Sequence, residues 1–205
     1  MAPLTIGLTG GIAAGKSEAL AALARLGAAT ISSDAVVHEL LGDEGLRDRL
    51  VERWGAEVAP GGEVDRDRVS QIVFERPEEL TWLEGVLHPL VGRRIADWLP
   101  TLPAGTELAV VEVPLLFEAA MEDVFDATVA VVASEDVRAD RAADRGHALV
   151  EERAARQLSQ EEKAARADHV VRNDGSLEEL EARLAELLAE LGRTASGSRP
   201  DPLQS

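Results

Sequence analysis

Eight consecutive residues carry the plainest chemistry in this 205-residue chain: Gly10-Gly11-Ile12-Ala13-Ala14-Gly15-Lys16-Ser17. They spell G-x-x-x-x-G-K-S, a phosphate-binding loop. Backbone N–H groups of such a loop, and the positive end of the helix that follows, converge on nucleotide phosphates. Lys16 is expected to reach the β- and γ-phosphates, and the Ser17 hydroxyl to bind Mg²⁺. The expected nucleotide contacts are thus Gly11, Ile12, Ala13, Ala14, Gly15, Lys16, Ser17 and Glu18. Lys16 is one of only two lysines in the chain. Ala13 is a sensitive position, because alanine resists positive φ.

Two carboxylates could work with this loop. Asp34 follows the second apolar segment, at the sheet edge where α/β proteins bind ligands, and could take a proton from a hydroxyl attacking the γ-phosphate. Aspartate is equally suited to capping the helix that starts there. Glu112 closes a buried strand and could assist Mg²⁺ directly or through water, or be an ordinary strand-terminal carboxylate. Arg138, Arg141, Arg145, Arg153 and Arg156 crowd a short stretch around Asp144-Arg145-Gly146-His147. Singly each could be paired on a solvated face. Together, beside a phosphate loop, they read as a lid that closes over nucleotide and neutralises developing charge.

These residues need a scaffold, and the hydrophobic pattern supplies one. Leu4–Thr9, Ala28–Ile31, Leu108–Val113, Ala127–Val132 and His169–Arg172 read as short apolar strands. Helical spacing follows the loop from Glu18 to Leu26, begins again at Ser33-Asp34, and returns near Ser134 and over Leu177–Leu191. Strands alternating with helices predict an α/β fold, a parallel sheet covered on both faces. From Glu44 to Leu99 the pattern is helical only, which interrupts the alternation like an inserted subdomain. Within it, His88-Pro89 is unusual, since proline should kink or start a helix. Residues 193–205, rich in Ser, Pro and Gly, read as a disordered tail.

Composition limits the alternatives. A net charge of −17 disfavours a general nucleic-acid binder. It does not exclude an anionic nucleotide, because distant surface charge is screened over about 8 Å at physiological salt while the loop touches its ligand. The absence of cysteine excludes disulfides and thiolate metal sites and fits the reducing cytoplasm. The four histidines lack ligand spacing. No apolar run reaches the ~18 residues of a membrane span. The apolar N-terminus runs into the glycine loop rather than a cleavage site, so it is read as fold rather than signal peptide.

Several motifs fall in one order: Thr9-Gly10-Gly11-Ile12 with Gly15-Lys16-Ser17, Asp34, Leu87-His88-Pro89-Leu90-Val91, and Val111-Glu112-Val113-Pro114-Leu115-Leu116-Phe117-Glu118. They continue with Arg141 and Arg145, Arg153 with Gln157, Glu162-Lys163, Ala167-Asp168 and Asn173-Asp174-Gly175-Ser176. From about residue 4 to 190 the chain resembles the dephospho-coenzyme A kinase family. The resemblance implies a three-layer P-loop kinase core over residues 1–43 and 106–192, a helical substrate domain over about 44–105, and a small helical lid over about 138–160. It implies ATP-dependent, Mg²⁺-assisted phosphorylation of the ribose 3′-hydroxyl of dephospho-CoA. Asp34 would be the base, Lys16 would hold the phosphates, and Arg141 and Arg145 would act from the lid. Asn173 would lie with the nucleotide and His88 with the substrate, while Lys163 receives no role. Another small P-loop nucleoside or nucleotide kinase is the alternative. Two positions depart from the family pattern: Ser32 where an acidic residue is usual, and Glu18 where threonine is usual.

Overall fold

The computed structural model describes residues 2–143 and 157–197. Five strands form one sheet: β1 (Leu4–Gly10), β2 (Ala29–Ser32), β3 (Leu108–Glu112), β4 (Ala127–Val132) and β5 (His169–Arg172), in the order β2-β3-β1-β4-β5. β1 pairs in parallel with β3, setting Leu8 opposite Glu112, and with β4, setting Ile6 opposite Ala127. β4 pairs in parallel with β5. Every residue of β4 is buried, which is why its sequence, Thr128 apart, is an apolar run rather than an alternating one.

The chain divides into two compact units, residues 1–31 with 102–205, and residues 32–101. In the first, alternation along the strands sorts the side chains by face. Ile6, Leu8, Val110, Val129 and Val131 pack with helix α1 (Lys16–Arg25) through Ala19, Ala22 and Leu23. The last helix, Leu177–Gly197, adds Leu180, Leu184 and Leu187 to the same cluster. Complete burial of one such leucine contributes about 2 kcal/mol. The opposite face is crowded differently: a Cβ on Gly7 would lie 2.6 Å from both Leu116 and Phe125.

The amino ends of the strands are stitched by a device used twice. Asp126, just before β4, accepts hydrogen bonds from the Thr5 N–H and hydroxyl on β1, each 2.7 Å. Asp168, just before β5, accepts from the Thr128 N–H and hydroxyl on β4, at 2.8 and 2.7 Å. In both pairs the aspartate immediately precedes its strand and meets a threonine in the same register. The Thr128 hydroxyl, then its N–H, hold the Asp168 carboxyl below the usual carboxylate range.

The second unit is helical: α2 (Ser33–Leu40), α3 (Glu44–Trp54), α4 (Arg66–Glu75) and α5 (Pro77–Trp98). Asp43 and Asp65 cap α3 and α4 by accepting from the N–H groups of Leu46 and Arg68, 3.0 Å each. Leu46, Leu50, Val58, Val69, Leu83 and Val86 form its core. Beside them the buried Glu79 accepts from Arg53 and from the Trp54 indole at 2.8 Å. The Arg53 guanidinium, and then the indole, hold this carboxyl below its ordinary range. α2, placed with the core by the sequence pattern, packs against α5 inside this helical unit.

Two sequence expectations need correction. α5 is one helix through Pro89 rather than two punctuated by it, with Leu83, Val86, Leu87, Val91 and Ile95 buried on both sides of the proline. The last helix reaches Gly197, past the 193 boundary drawn for a tail. Thr194, Ala195 and Ser196 are no barrier to a helix already nucleated, since each added residue brings its own hydrogen bond.

Candidate active site

The glycine loop is the turn from β1 into α1. β1 ends at Gly10, where the backbone approaches the Val131 carbonyl too closely for a side chain. Gly15 takes φ 93°, ψ 32° at the N-cap of α1, a left-handed conformation that glycine adopts freely. No side chain caps this helix, so its first N–H groups face the loop as an anion-binding terminus. Ala13 does adopt positive φ, 58°, which for alanine carries strain of about 1–2 kcal/mol. Ala14, in contrast, is fully buried and joins the core under the sheet. The loop is therefore anchored by one alanine and strained at the one before it.

Lys16 turns back over the loop. Its Nζ donates to the carbonyls of Gly10 and Gly11 at 3.1 and 3.0 Å. Ser17 is exposed in the first turn of α1. Glu18 directs its carboxylate along the helix to Arg25, 3.7 Å away, and so away from the loop. Glu112 is 7% exposed and lies beside β1 at the carboxyl end of β3. It shares a strand face with Val110, the face covered by α1.

The loop is supported from behind. Asn173, 3% exposed, donates from its amide to the Ala14 carbonyl at 2.9 Å. Its own backbone N–H continues the sheet by donating to the Val132 carbonyl at 2.7 Å. Arg141, on helix α6 (Glu135–Ala143), makes long contacts to the same Ala14 carbonyl, 3.4 Å, and to the Asn173 carbonyl oxygen, 3.5 Å. Arg141 and Asn173 thus come together against the loop. Arg145, Arg153 and Arg156, with most of the expected lid, lie outside the described residues.

Gln160 opens helix α7 (Gln160–Arg166) and acts like a piece of backbone. Its amide accepts from the Ala133 N–H at 2.8 Å and donates to the Ala133 carbonyl at 2.9 Å. Ser159 and Glu162 close a capping box on the same helix, and the Ser159 N–H and hydroxyl hold the Glu162 carboxyl below its ordinary range. Between the loop tip, α6 and residues 157–160 lies an open cavity of about 300 Å³, lined among others by Gly11, Ala13, Arg138 and Gln157. Arg138 Nε and Gln157 Oε1 are buried without a partner among the described residues. Buried polar groups are rarely left so, and both belong to residues lining this cavity.

Sequence reading left Lys163 without a role, and the structure supplies its surroundings. It is fully buried, donates to the Pro114 carbonyl and pairs with Glu118 at 3.0 Å. The only signal in the sequence was that both residues fall within the quoted motifs, since the contact spans some 49 positions of chain. In the helical unit, Asp34 is exposed in the first turn of α2, and Ser32, not Asp34, holds the N-cap position. The capping alternative for Asp34 is therefore removed. His88 is exposed on α5. Among the described residues no three acidic or histidine side chains gather into a metal cluster.

A parallel sheet with a glycine loop feeding an uncapped helix, backed by an arginine and a buried asparagine, defines a nucleotide-binding α/β protein of the P-loop class. The backbone is similar to that of shikimate kinase from Acinetobacter baumannii, with a TM-score of 0.53 at 14% identity, covering 97% of this chain and 96% of that one; this is a likeness of fold alone. The family model for dephospho-CoA kinase matches residues 4–179, and the chain belongs to that family. A dephospho-CoA kinase from Streptomyces avermitilis is 40% identical over 194 residues, 92% of this chain and 94% of that one. A solved structure from Thermus thermophilus superposes with a TM-score of 0.78 at 38% identity, covering 93% of this chain and 99% of that one.

Proposed function

We propose that this protein transfers the γ-phosphoryl group of ATP to the ribose 3′-hydroxyl of dephospho-CoA, giving CoA and ADP in the cytoplasm. The observation that carries the phosphate half of this reading is the loop itself, with its uncapped helix terminus and a lysine folded over it. Family membership carries the acceptor half. Phosphoryl transfer asks little covalent chemistry of a protein and much positioning and charge stabilisation.

Each residue then has a task. Loop N–H groups from Gly11 to Ser17 hold the phosphate chain, and Lys16 exchanges its carbonyl partners for the β- and γ-phosphates. Asp34 accepts the proton of the 3′-hydroxyl as its oxygen bonds to the γ-phosphorus and the bond to ADP breaks. Arg141, with Arg145, offsets charge on the transferred group. Asn173 fixes the loop from behind on the nucleotide side, and His88 lies with the acceptor. Ser17 and Glu112 are hard oxygen donors of the kind Mg²⁺ takes, and Glu112 is buried on the α1 side of the sheet; they would hold the ion together with phosphate oxygens and water. When bound, Mg²⁺ supplies charge neutralisation on the phosphates.

The test is ADP release by purified protein with ATP, Mg²⁺ and a panel of hydroxyl acceptors. Turnover with dephospho-CoA and little with adenosine or AMP is expected. The reverse order would assign the chain to nucleoside or nucleotide phosphorylation instead.

A further inference from the structure

We infer that Lys163 is a positioning residue for phosphoryl transfer, a buried strut that fixes the exit of β3 and residue 158 against the start of the phosphate loop. The inference deepens the functional reading above and rests on it. Its ground is a node of hydrogen bonds at the Pro114 carbonyl. That oxygen accepts from Lys163 Nζ and, at 3.3 Å, from the Thr9 hydroxyl. Thr9 is fully buried and immediately precedes Gly10, the first glycine of the loop. Pro114 follows Glu112, the candidate Mg²⁺ carboxylate, by two residues. Glu118 Oε1 pairs with Lys163 at 3.0 Å and also accepts from the Leu158 N–H at 2.8 Å. Leu158 adjoins Gln157, which lines the cavity at the loop tip. The ends of β1 and β3 and residue 158 are therefore linked through the two acceptors that Lys163 holds.

The chemistry of the node is unusual for a purely structural one. Lys163 has no exposed surface, and Glu118 has only 15% of its side chain exposed. Enclosing two charges is costly, and well-packed apolar residues often replace such a pair without loss of stability. What apolar residues would not reproduce is the direction of the three donors toward Pro114 and Glu118. Glu118 Oε2 is buried without a partner among the described residues, so the carboxylate spends its bonds on one oxygen.

The test compares wild-type protein with the double variant K163M/E118Q, which removes both charges while the amide oxygen introduced in place of the Glu118 carboxylate keeps an acceptor for the Leu158 N–H. Circular dichroism gives the folded fraction, calorimetry the Kd for ATP, and ADP release the kcat at saturating acceptor. A strut predicts a folded variant with Kd for ATP within about threefold of wild type and kcat lowered at least tenfold. Wild-type kcat per folded molecule, or a kcat loss no larger than the loss of ATP affinity, would overturn it. Should the double variant not fold, E118Q alone is measured, and the same split is expected at about threefold in kcat; unchanged kcat overturns the inference there too. The wild-type control keeps the two readings apart. If it phosphorylates another acceptor and not dephospho-CoA, the acceptor assignment fails, and the strut is tested with the acceptor that works.

Discussion

The side-chain amide of Asn173 donates to the main-chain carbonyl of Ala14 at 2.9 Å, joining positions 159 residues apart. The only other side chain reaching that carbonyl is Arg141, at 3.4 Å, among the described residues. In Asn173→Ala the loop loses its closest support. One hydrogen bond of this kind contributes about 1 kcal/mol, so ATP affinity should fall between five- and tenfold, roughly, measured by calorimetry.

Neighbouring positions of the loop should respond in opposite directions to small changes. Ala13→Gly relieves a positive φ costing about 1–2 kcal/mol, while the added glycine loosens the unfolded chain by about 0.4–1 kcal/mol. The relief wins, and a net gain near 0.5–1 kcal/mol, about 2 °C in Tm, is expected in a thermal melt without nucleotide. Gly15→Ala instead drives a Cβ into the Asn173 amide at φ 93°. It should abolish nucleotide binding by the same calorimetric measure.

Lys16 and Asp34 separate binding from chemistry. Lys16→Ala removes the one side chain expected on both terminal phosphates, and ADP release should fall about a hundred- to a thousandfold, the order expected of a principal electrostatic group. Asp34→Asn keeps size and removes the carboxylate proposed as the base. Its kcat should drop a hundredfold or more, within the usual range for general-base removal, with Kd for ATP unchanged. A wild-type kcat in this variant would remove Asp34 from the mechanism.

Asp168 gives the protein a particular response to acid. Its carboxyl is held below the ordinary range by Thr128, so the ionised form stabilises the fold. That contribution is complete above the unfolded value of about 4 and is lost as pH falls through the lower folded value. The Tm of wild type should therefore exceed that of Asp168→Asn by a constant margin above about pH 5, and the margin should close below about pH 4. A margin independent of pH would mean that the amide loses shape rather than charge.

What the sequence disclosed depends on how local the cause was. β4 and β5 carry the bounds expected from their sequences; β4, buried on both faces, advertises itself in every residue, while β5 buries only Val171. The phosphate loop was readable for the same reason, since its chemistry is written in eight adjacent positions. Pro89 misled because proline is a local signal overruled by packing on either side of it. The strand–helix alternation put α2 with the core, whereas its packing partner is α5, more than thirty residues later. Gln160 was invisible as a backbone mimic, for nothing near it names Ala133. Lys163 was visible as a residue and opaque as a contact, because both of its acceptors come from a different strand–helix unit.

The twin Thr–Asp stitches bear on how the sheet is assembled rather than on how it works. Parallel strands meet late, after long stretches of chain have closed, and apolar neighbours such as Val129, Val131 and Val171 would tolerate a slip of two residues without exposing their faces. The carboxylates would not. A strand sliding by two positions leaves Asp126 or Asp168 without its threonine, so an error that greasy residues cannot detect becomes a polar mismatch at the rim. Placed at successive junctions, β1 to β4 and then β4 to β5, the two pairs penalise a slipped register at each of them.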